Sequence, residues 1–182
     1  FAKSGNAPAL REVFAYGFRN PHRITWTKTG DMLVSNIGGK HIESLNLVKP
    51  GANFGWPTRE GNFMIEPDED WEKIYSLPAN DSSFHITYPV VAYDHNEGVA
   101  AISGGYEYWG NAIPELKGKY LFGDIPSGRL FYINLNELKQ GQPATMHEWR
   151  VSINGQVKSL QELCKNSRVD LHFGRDAKGE IY

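Results

Sequence analysis

The stretch YLFGDIPSGRLFYI (residues 120–133) decides the fold class, because two short apolar strands flank a polar, glycine-containing turn at residues 124–128. The segments TGDMLVSNI (29–37) and KGEIY (178–182) share a related form, in which a glycine-containing turn leads into a short apolar strand. Short strands with glycine turns are typical of a sandwich, a barrel or a propeller. The reuse of one structural unit favours the propeller, so we predict an all-β chain.

Other segments add strands and few helices to this prediction. The run FHITYPVVAYDH (84–95) is strand-like, with Pro89 marking an edge or a break. The segments AISGGYEYW (101–109) and MHEWRVSI (146–153) are further strand candidates. Only SLQEL, around Leu160, and LNELKQG indicate helical turns.

The composition excludes several classes of protein. The 182 residues correspond to one domain or part of one, and an aromatic content of 13% argues against disorder. A formal net charge of −2 argues against nucleic acid as the main partner. No apolar run approaches the roughly 18 residues that indicate a membrane span. Cys164 is the only cysteine, so it forms no internal disulfide, and we expect it to be a buried small apolar residue.

Both ends of the chain suggest a longer polypeptide. Phe1 is not a start methionine, and the chain stops at what we predict to be the opening of a strand. We therefore expect the remainder of its own chain to be a partner of these residues.

The stretch AYGFRNPHRITW (15–26) carries more polar groups than a turn requires. Arg19, Asn20, Pro21, His22 and Arg23 stand together between apolar residues. A turn needs an Asn or a Pro, but it does not need two arginines and a histidine. We therefore take this stretch as a candidate functional site.

Four motifs in order identify a family. They are GFRNPHRITW (17–26), GDMLVSNIGGKHIESLNLVKPGANFGWPTREG (30–61), AISGGYEYWGNAIPELKGKYLFGDIPSGRLFYI (101–133) and RVDLHFGRDAKGEIY (168–182). Together they resemble the soluble glucose/sorbosone dehydrogenase family, which includes the quinoprotein aldose sugar dehydrogenases and the propeller of Hedgehog-interacting protein. The resemblance implies a six-bladed β-propeller, of which residues 1–182 would form the C-terminal part of a single domain, roughly three blades.

The resemblance also implies a chemistry. Active members bind pyrroloquinoline quinone (PQQ) with a calcium ion, and the C1 hydride of an aldose sugar moves to the quinone before electrons pass to an external acceptor. The catalytic histidine would precede Phe1. By the family motif, Arg19, Asn20 and Arg168 would contact the quinone, with Arg19 also near the substrate. A guanidinium suits the carboxylates and oxygens of the quinone because it donates in a fixed fork. A periplasmic or secreted location is implied as well.

The same resemblance assigns residues to the metal and the sugar. The loop SNIGGKHIESLN would offer the backbone carbonyls of Gly38 and Gly39 to calcium, although two glycines also make an ordinary tight turn. Glu43 either supports this loop or faces water. His95 either binds a sugar hydroxyl or tunes the quinone, or it is an exposed loop histidine without a role.

Three further features have structural interpretations. In GANFGWP (51–57), we expect Phe54 and Trp56 to pack between blades. The acids of IEPDED (65–70) lack the spacing of a known calcium loop and read as a solvated loop. Glu97, in AYDHNEG, lies on the same predicted loop as His95.

Two departures from the family pattern leave a second function open. Pro126 and Ser127 stand where a basic cofactor contact is expected, and Asp170 replaces the second arginine of the last motif. Losing two charge-assisted hydrogen bonds costs about 3–6 kcal/mol, or roughly 2 to 4 decades of affinity. The alternative is a non-catalytic propeller that binds a glycan or a protein partner, and a weaker one is a calcium-dependent lactone hydrolase.

Overall fold

A computed structural model describes residues 12–66, 71–96 and 98–182 as an almost entirely β structure. In chain order, the strands in the described residues are β1 (Pro21–Trp26), β2 (Met32–Asn36), β3 (Ile42–Val48), β4 (Arg59–Glu60), β5 (Phe63–Ile65), β6 (Ile74–Tyr75), β7 (Val91–Asp94), β8 (Tyr106–Glu107), β9 (Lys119–Gly123), β10 (Leu130–Asn134), β11 (His147–Trp149), β12 (Val151–Ile153) and β13 (Gln156–Lys158). The helix α1 spans Leu160–Cys164, and 3-10 turns lie at Asp81–Phe84, Pro114–Leu116 and Leu135–Glu137.

The strands form two four-stranded antiparallel sheets, which are successive blades of a β-propeller. The first sheet has the order β1-β2-β3-β7, and the second has the order β8-β9-β10-β11. A small sheet, β4-β5-β6, is inserted in the chain between β3 and β7, and β12 pairs with β13 as a separate hairpin.

Several local predictions are confirmed and others need correction. The hairpin predicted from residues 120–133 is β9 and β10, and the helical turn around Leu160 is α1. The run 84–95 becomes a strand only after Pro89, as β7. The segment KGEIY contributes one isolated bridge, between Arg175 and Ile181, instead of a strand. Cys164 is exposed, so its predicted burial was wrong.

The main core lies between the two sheets. Leu33 and Leu45 of the first sheet and Phe122 and Phe131 of the second are fully buried in one cluster, with Ile102 of the connecting segment among them. These strands supply aromatic and aliphatic side chains at alternate positions, which is the pattern that buries one face of a strand. The apolar contact between the sheets therefore fixes their spacing.

Buried carboxylates hold the segment that connects the sheets. Asp124 Oδ2, at the end of β9, accepts a hydrogen bond of 2.8 Å from the Ala101 amide. Glu43 Oε2, on β3, accepts one of 2.9 Å from the next amide, that of Ile102. Consecutive amides of one connection are thus bound to opposite sheets, which orients the second blade relative to the first.

We predict that Asp124→Asn destabilises the fold by about 1–3 kcal/mol, because an NH2 donor replaces one of the two oxygens that accept from Tyr93, Ala101 and Ser127. The measurement is the free energy of unfolding of the full-length protein in denaturant. Glu148→Gln is the matched control, since it changes a partly exposed ion pair with Arg129 that is worth about 0–1 kcal/mol. Equal effects of the two substitutions would contradict the role given to Asp124.

Candidate functional site

Most of the predicted site residues lie at one end of the first sheet. In the strand register, Pro21 at the start of β1 lies opposite Asn36 at the end of β2. Ile42 at the start of β3 lies opposite Asp94 at the end of β7, so these positions share one edge of the blade. The predicted site residues next to these four positions are Arg19, Asn20, Gly38, Gly39 and His95.

Arg19 is presented at this end by a fixed backbone. The Asn20 amide donates to Asn36 Oδ1 at 2.9 Å, and the Asn20 carbonyl accepts from the Ile37 amide at 2.9 Å. The Arg19 side chain is exposed, and its guanidinium lies 5.8 Å from the ring centroid of Trp56. A cationic side chain is therefore held on an aromatic face and stays accessible.

The glycine loop between β2 and β3 is tied to buried carboxylates. The Gly38 amide donates to Glu43 Oε1 at 3.2 Å, and the Gly39 amide donates to Glu60 Oε1 at 2.9 Å. The same Glu60 oxygen accepts from the amides of His41 and Ile42, at 2.9 and 2.8 Å. A Cβ atom at position 38 would overlap the Ile42 carbonyl, so this tight turn requires glycine there.

Glu43 supports the loop and does not face water. Its side chain is 0% exposed, and His95 Nε2 lies 2.9 Å from its Oε1. Burial raises the pKa of the Glu43 carboxyl above its ordinary value, against hydrogen bonds from the Ile102 amide and His95. His95 is therefore paired with a buried acid and is only 19% exposed, unlike the solvated loop histidine that the sequence also allowed.

Arg168 is not among the residues that line the small cavity beside Arg19. Its Nε donates to Asp170 Oδ1 at 2.6 Å, and both side chains are 60% exposed. The Val169 amide donates to the Pro126 carbonyl at 3.0 Å. The two departures from the family pattern, the turn at Pro126 and the acid at 170, are therefore neighbours.

Two cavities of different size adjoin these groups. A cavity of about 10 Å³ is lined by Arg19, Gly38, Trp56 and Glu60, which is space for one water or ion but not for an organic cofactor. A larger, polar cavity of about 400 Å³ adjoins the turn after β9. The residues that line it include Tyr93, Asp124, Ser127, Arg129, Glu148 and Trp149.

Sequence reasoning missed several residues of these sites. Glu60 reaches the glycine loop from the inserted sheet, a contact that no sequence spacing indicates. Tyr93 donates to Asp124 at 3.1 Å, and burial together with this acid raises the pKa of Tyr93. Phe54 stacks on Phe18 in a cluster with Val34 and Val48 of the first sheet, separate from the core between the two sheets. Trp56 contacts Arg19 and so belongs to the site as well.

The calcium site expected from the sequence uses backbone carbonyl oxygens and not side chains. Within residues 12–66, 71–96 and 98–182, no group of three or more His, Cys, Asp or Glu side chains is arranged to hold a metal ion. Asp68, Glu69, Asp70 and Glu97 lie outside the described residues, so the predictions made for them stay predictions. The carbonyls of Gly38 and Gly39 accept no hydrogen bond within the described part of the chain.

Comparisons with known proteins agree on one family. Residues 2–162 match the family model described as Glucose / Sorbosone dehydrogenase. The HIPL2 protein of Arabidopsis thaliana is 31% identical over 128 residues, which are 66% of this chain and 18% of that protein.

Two solved structures share the fold. The apo form of the soluble aldose sugar dehydrogenase from Escherichia coli aligns with a TM-score of 0.64 at 17% identity, over 98% of this chain and 47% of that one. The PQQ-bound aldose sugar dehydrogenase from Streptomyces coelicolor aligns with a TM-score of 0.53 at 24% identity, over 80% and 34%. The chain thus spans less than half the length of these structures. No helix among the described residues is long and apolar enough to cross a membrane.

We predict that Glu43→Gln changes how stability depends on pH. Because the folded pKa of Glu43 is raised from 4.5, its contribution to stability is full below that value and is lost as pH rises through the folded pKa. His95, Tyr93 and the amides of Gly38 and Ile102 face this carboxyl. Unfolding free energies at a series of pH values should therefore fall less steeply above pH 4.5 in the variant.

The control for this titration is Glu72→Gln. Glu72 is an exposed acid whose pKa is lowered by its hydrogen bond with Lys40, so its contribution is lost as pH falls. The control should leave the arm above pH 4.5 unchanged. If Glu43→Gln and the wild type gave parallel curves in that arm, the assignment of the raised pKa to Glu43 would be wrong.

Proposed function

We propose, from the premise that this chain belongs to the glucose/sorbosone dehydrogenase family, that it is the C-terminal part of a propeller that oxidises an aldose sugar with PQQ and calcium. An external acceptor would take the electrons, and the protein would be periplasmic or secreted. The observation that carries the proposal is the exposed Arg19 guanidinium, held on Trp56 beside the glycine loop.

The residues at the first sheet fit the quinone and its metal. Arg19 and Asn20 offer donors to carboxylate and quinone oxygens, and a guanidinium cannot lose its charge near an anion. Gly38 and Gly39 offer backbone oxygens, which are ligands that calcium accepts. Because the small cavity holds only about one ion, the quinone would lie outside it, against the exposed face of Arg19.

The remaining residues would act on the sugar. When bound, PQQ supplies an acceptor for the hydride that leaves C1 of an aldose. Arg19 would bind a sugar oxygen on the same face, and His95 would bind a sugar hydroxyl. The contact between His95 Nε2 and Glu43 leaves Nδ1 as the ring nitrogen for that hydroxyl.

A specific observation favours the second candidate, a non-catalytic propeller that binds a glycan or a protein. The turn after β9 has Pro126 and Ser127 in place of a basic residue, with the Ser127 hydroxyl donating to Asp124, and Asp170 binds Arg168. These groups give the second half of the site less positive charge than a quinone with three carboxylates requires. The polar cavity of about 400 Å³ is in the size range of small-molecule sites and offers carboxylates, two arginines and Trp149 to a saccharide.

We predict that Arg19→Ala abolishes formation of the quinone complex in the full-length protein. Titration with PQQ in excess calcium, followed by absorbance and tryptophan fluorescence, measures binding, and dye reduction with an aldose measures turnover. Arg23→Ala is the matched control, because Arg23 is also an exposed arginine of the same stretch but has no predicted contact with the quinone. An unchanged titration of Arg19→Ala would reject its role, and a wild type that neither binds PQQ nor reduces dye would reject the enzyme.

We predict that Asp170→Asn tightens PQQ binding by roughly tenfold, since it removes a negative charge and frees Arg168 to make one charge-assisted hydrogen bond. Asn also tolerates the left-handed backbone at this position, where φ is 55°. The affinity of the variant is measured in the same titration. If Asp170→Asn binds PQQ no better than the wild type, the segment 168–170 does not face the cofactor.

A further inference from the structure

The loop that joins β2 to β3 has its amides turned inward. Gly38 donates to Glu43, and Gly39, His41 and Ile42 all donate to one oxygen of Glu60. Both carboxylates are buried, at 0% and 3% exposure. Four N–H groups of a five-residue segment, 38–42, thus point toward negative charge inside the protein.

The carbonyls of the same peptide units must point the other way. In a planar trans peptide, the N–H of one residue and the C=O of the preceding residue lie on opposite sides of the chain. The Gly39 amide faces Glu60, so the Gly38 carbonyl faces away from it. By the same rule the His41 carbonyl is turned out, and it accepts the His95 amide at 3.1 Å.

This arrangement is the opposite of an anion-binding nest, in which successive amides converge on a ligand. Here successive amides converge on buried carboxylates, and the Gly38 carbonyl is left for a ligand on the other side of the loop. This carbonyl accepts no hydrogen bond from the described residues. Gly38 is buried and lines the cavity of about 10 Å³, which is space for about one ion. Hard cations take carbonyl oxygens as ligands, so this part of the loop suits a divalent cation.

The charge beneath the loop favours the same occupant. Glu60 Oε2 is buried and has no hydrogen-bond partner among the described residues. The nearby Arg59 guanidinium is bound to Asp81 and to the Thr58 carbonyl, and Arg19 lies on Trp56. A buried carboxylate whose charge is not fully balanced is costly, and a cation at the loop would lower that cost.

We infer that Glu60 is a positioning residue for a divalent cation, which it serves by holding the Gly39 amide inward so that the Gly38 carbonyl is presented as a ligand. The inference rests on the proposed function in assigning calcium to this loop. It points to the Gly38 carbonyl as a ligand, because the Gly39 amide contact fixes the direction of that carbonyl. Mutation of a residue that orients a metal ligand typically weakens metal affinity by about 10–100-fold.

The test measures cation binding by the full-length protein without quinone or sugar. Calcium is titrated by calorimetry, and terbium is titrated by luminescence sensitised through Trp56, which lies against Glu60 and Gly39. Glu60→Gln should weaken both affinities by about 10–100-fold. Glu148→Gln, the matched control at a carboxylate outside the loop, should bind as the wild type does.

A second variant guards against misfolding of the first. A Cβ at position 39 would lie 2.9 Å from Glu60 Oε2, so Gly39→Ala should displace the carboxylate and lose affinity in the same way. Melting temperatures separate the roles, because a purely structural Glu60 would lower the melting temperature and leave the affinity of the folded protein unchanged.

The cation titrations test the inference separately from PQQ binding, which tests the proposed enzyme. Wild-type affinity in both folded variants, or no calcium or terbium binding by the wild type, would overturn the inference. Loss of cation binding in the variants supports it even if PQQ does not bind to the wild type, a result that rejects the enzyme alone. If the Glu60→Gln variant still binds PQQ and its calcium affinity is unchanged, the enzyme is supported and the inference is rejected.

Discussion

The structure depends on the capture of two consecutive amides, those of Ala101 and Ile102, by buried carboxylates of opposite sheets. A buried charge is costly unless donors satisfy it, and each acid has several. Asp124 also accepts from Tyr93 and Ser127, while Glu43 also accepts from Gly38 and lies against His95. The same groups that set the angle between the blades therefore hold the residues of the candidate site.

The polarity of the site follows from where these carboxylates lie. At the first sheet they accept hydrogen bonds from the Gly38 and Gly39 amides. The Gly38 carbonyl then faces away from them, which favours a cation as its ligand. Arg19 stands at the rim of that region, so positive charge and cation-binding oxygens occur side by side. That combination suits an anionic ligand bound together with a metal ion.

The strands were easier to predict from the sequence than the contacts of the candidate site. The hairpin of β9 and β10 was predictable because turn residues and apolar strands are local features. Arg19, Gly38 and His95 were found through motifs, and the strand register brings them to one sheet end. Glu60 was missed because its contact spans an inserted sheet. The burial of Glu43 was not predictable, since it depends on the packing of β3 between β2 and β7.

The ion pair between Asp170 and Arg168 does not by itself prevent a quinone from binding at this site. An exposed pair such as Arg168 with Asp170 is worth about 0–1 kcal/mol, because water screens it, so an anionic ligand can displace Asp170 from Arg168 at little cost. The larger effect is the negative charge that Asp170 itself would place near a bound carboxylate. At about 4 Å and a surface dielectric near 20, such repulsion is about 4 kcal/mol before screening by salt. A quinone is therefore held more readily when its carboxylates face the rim at Arg19 than when they face the segment at 168–170.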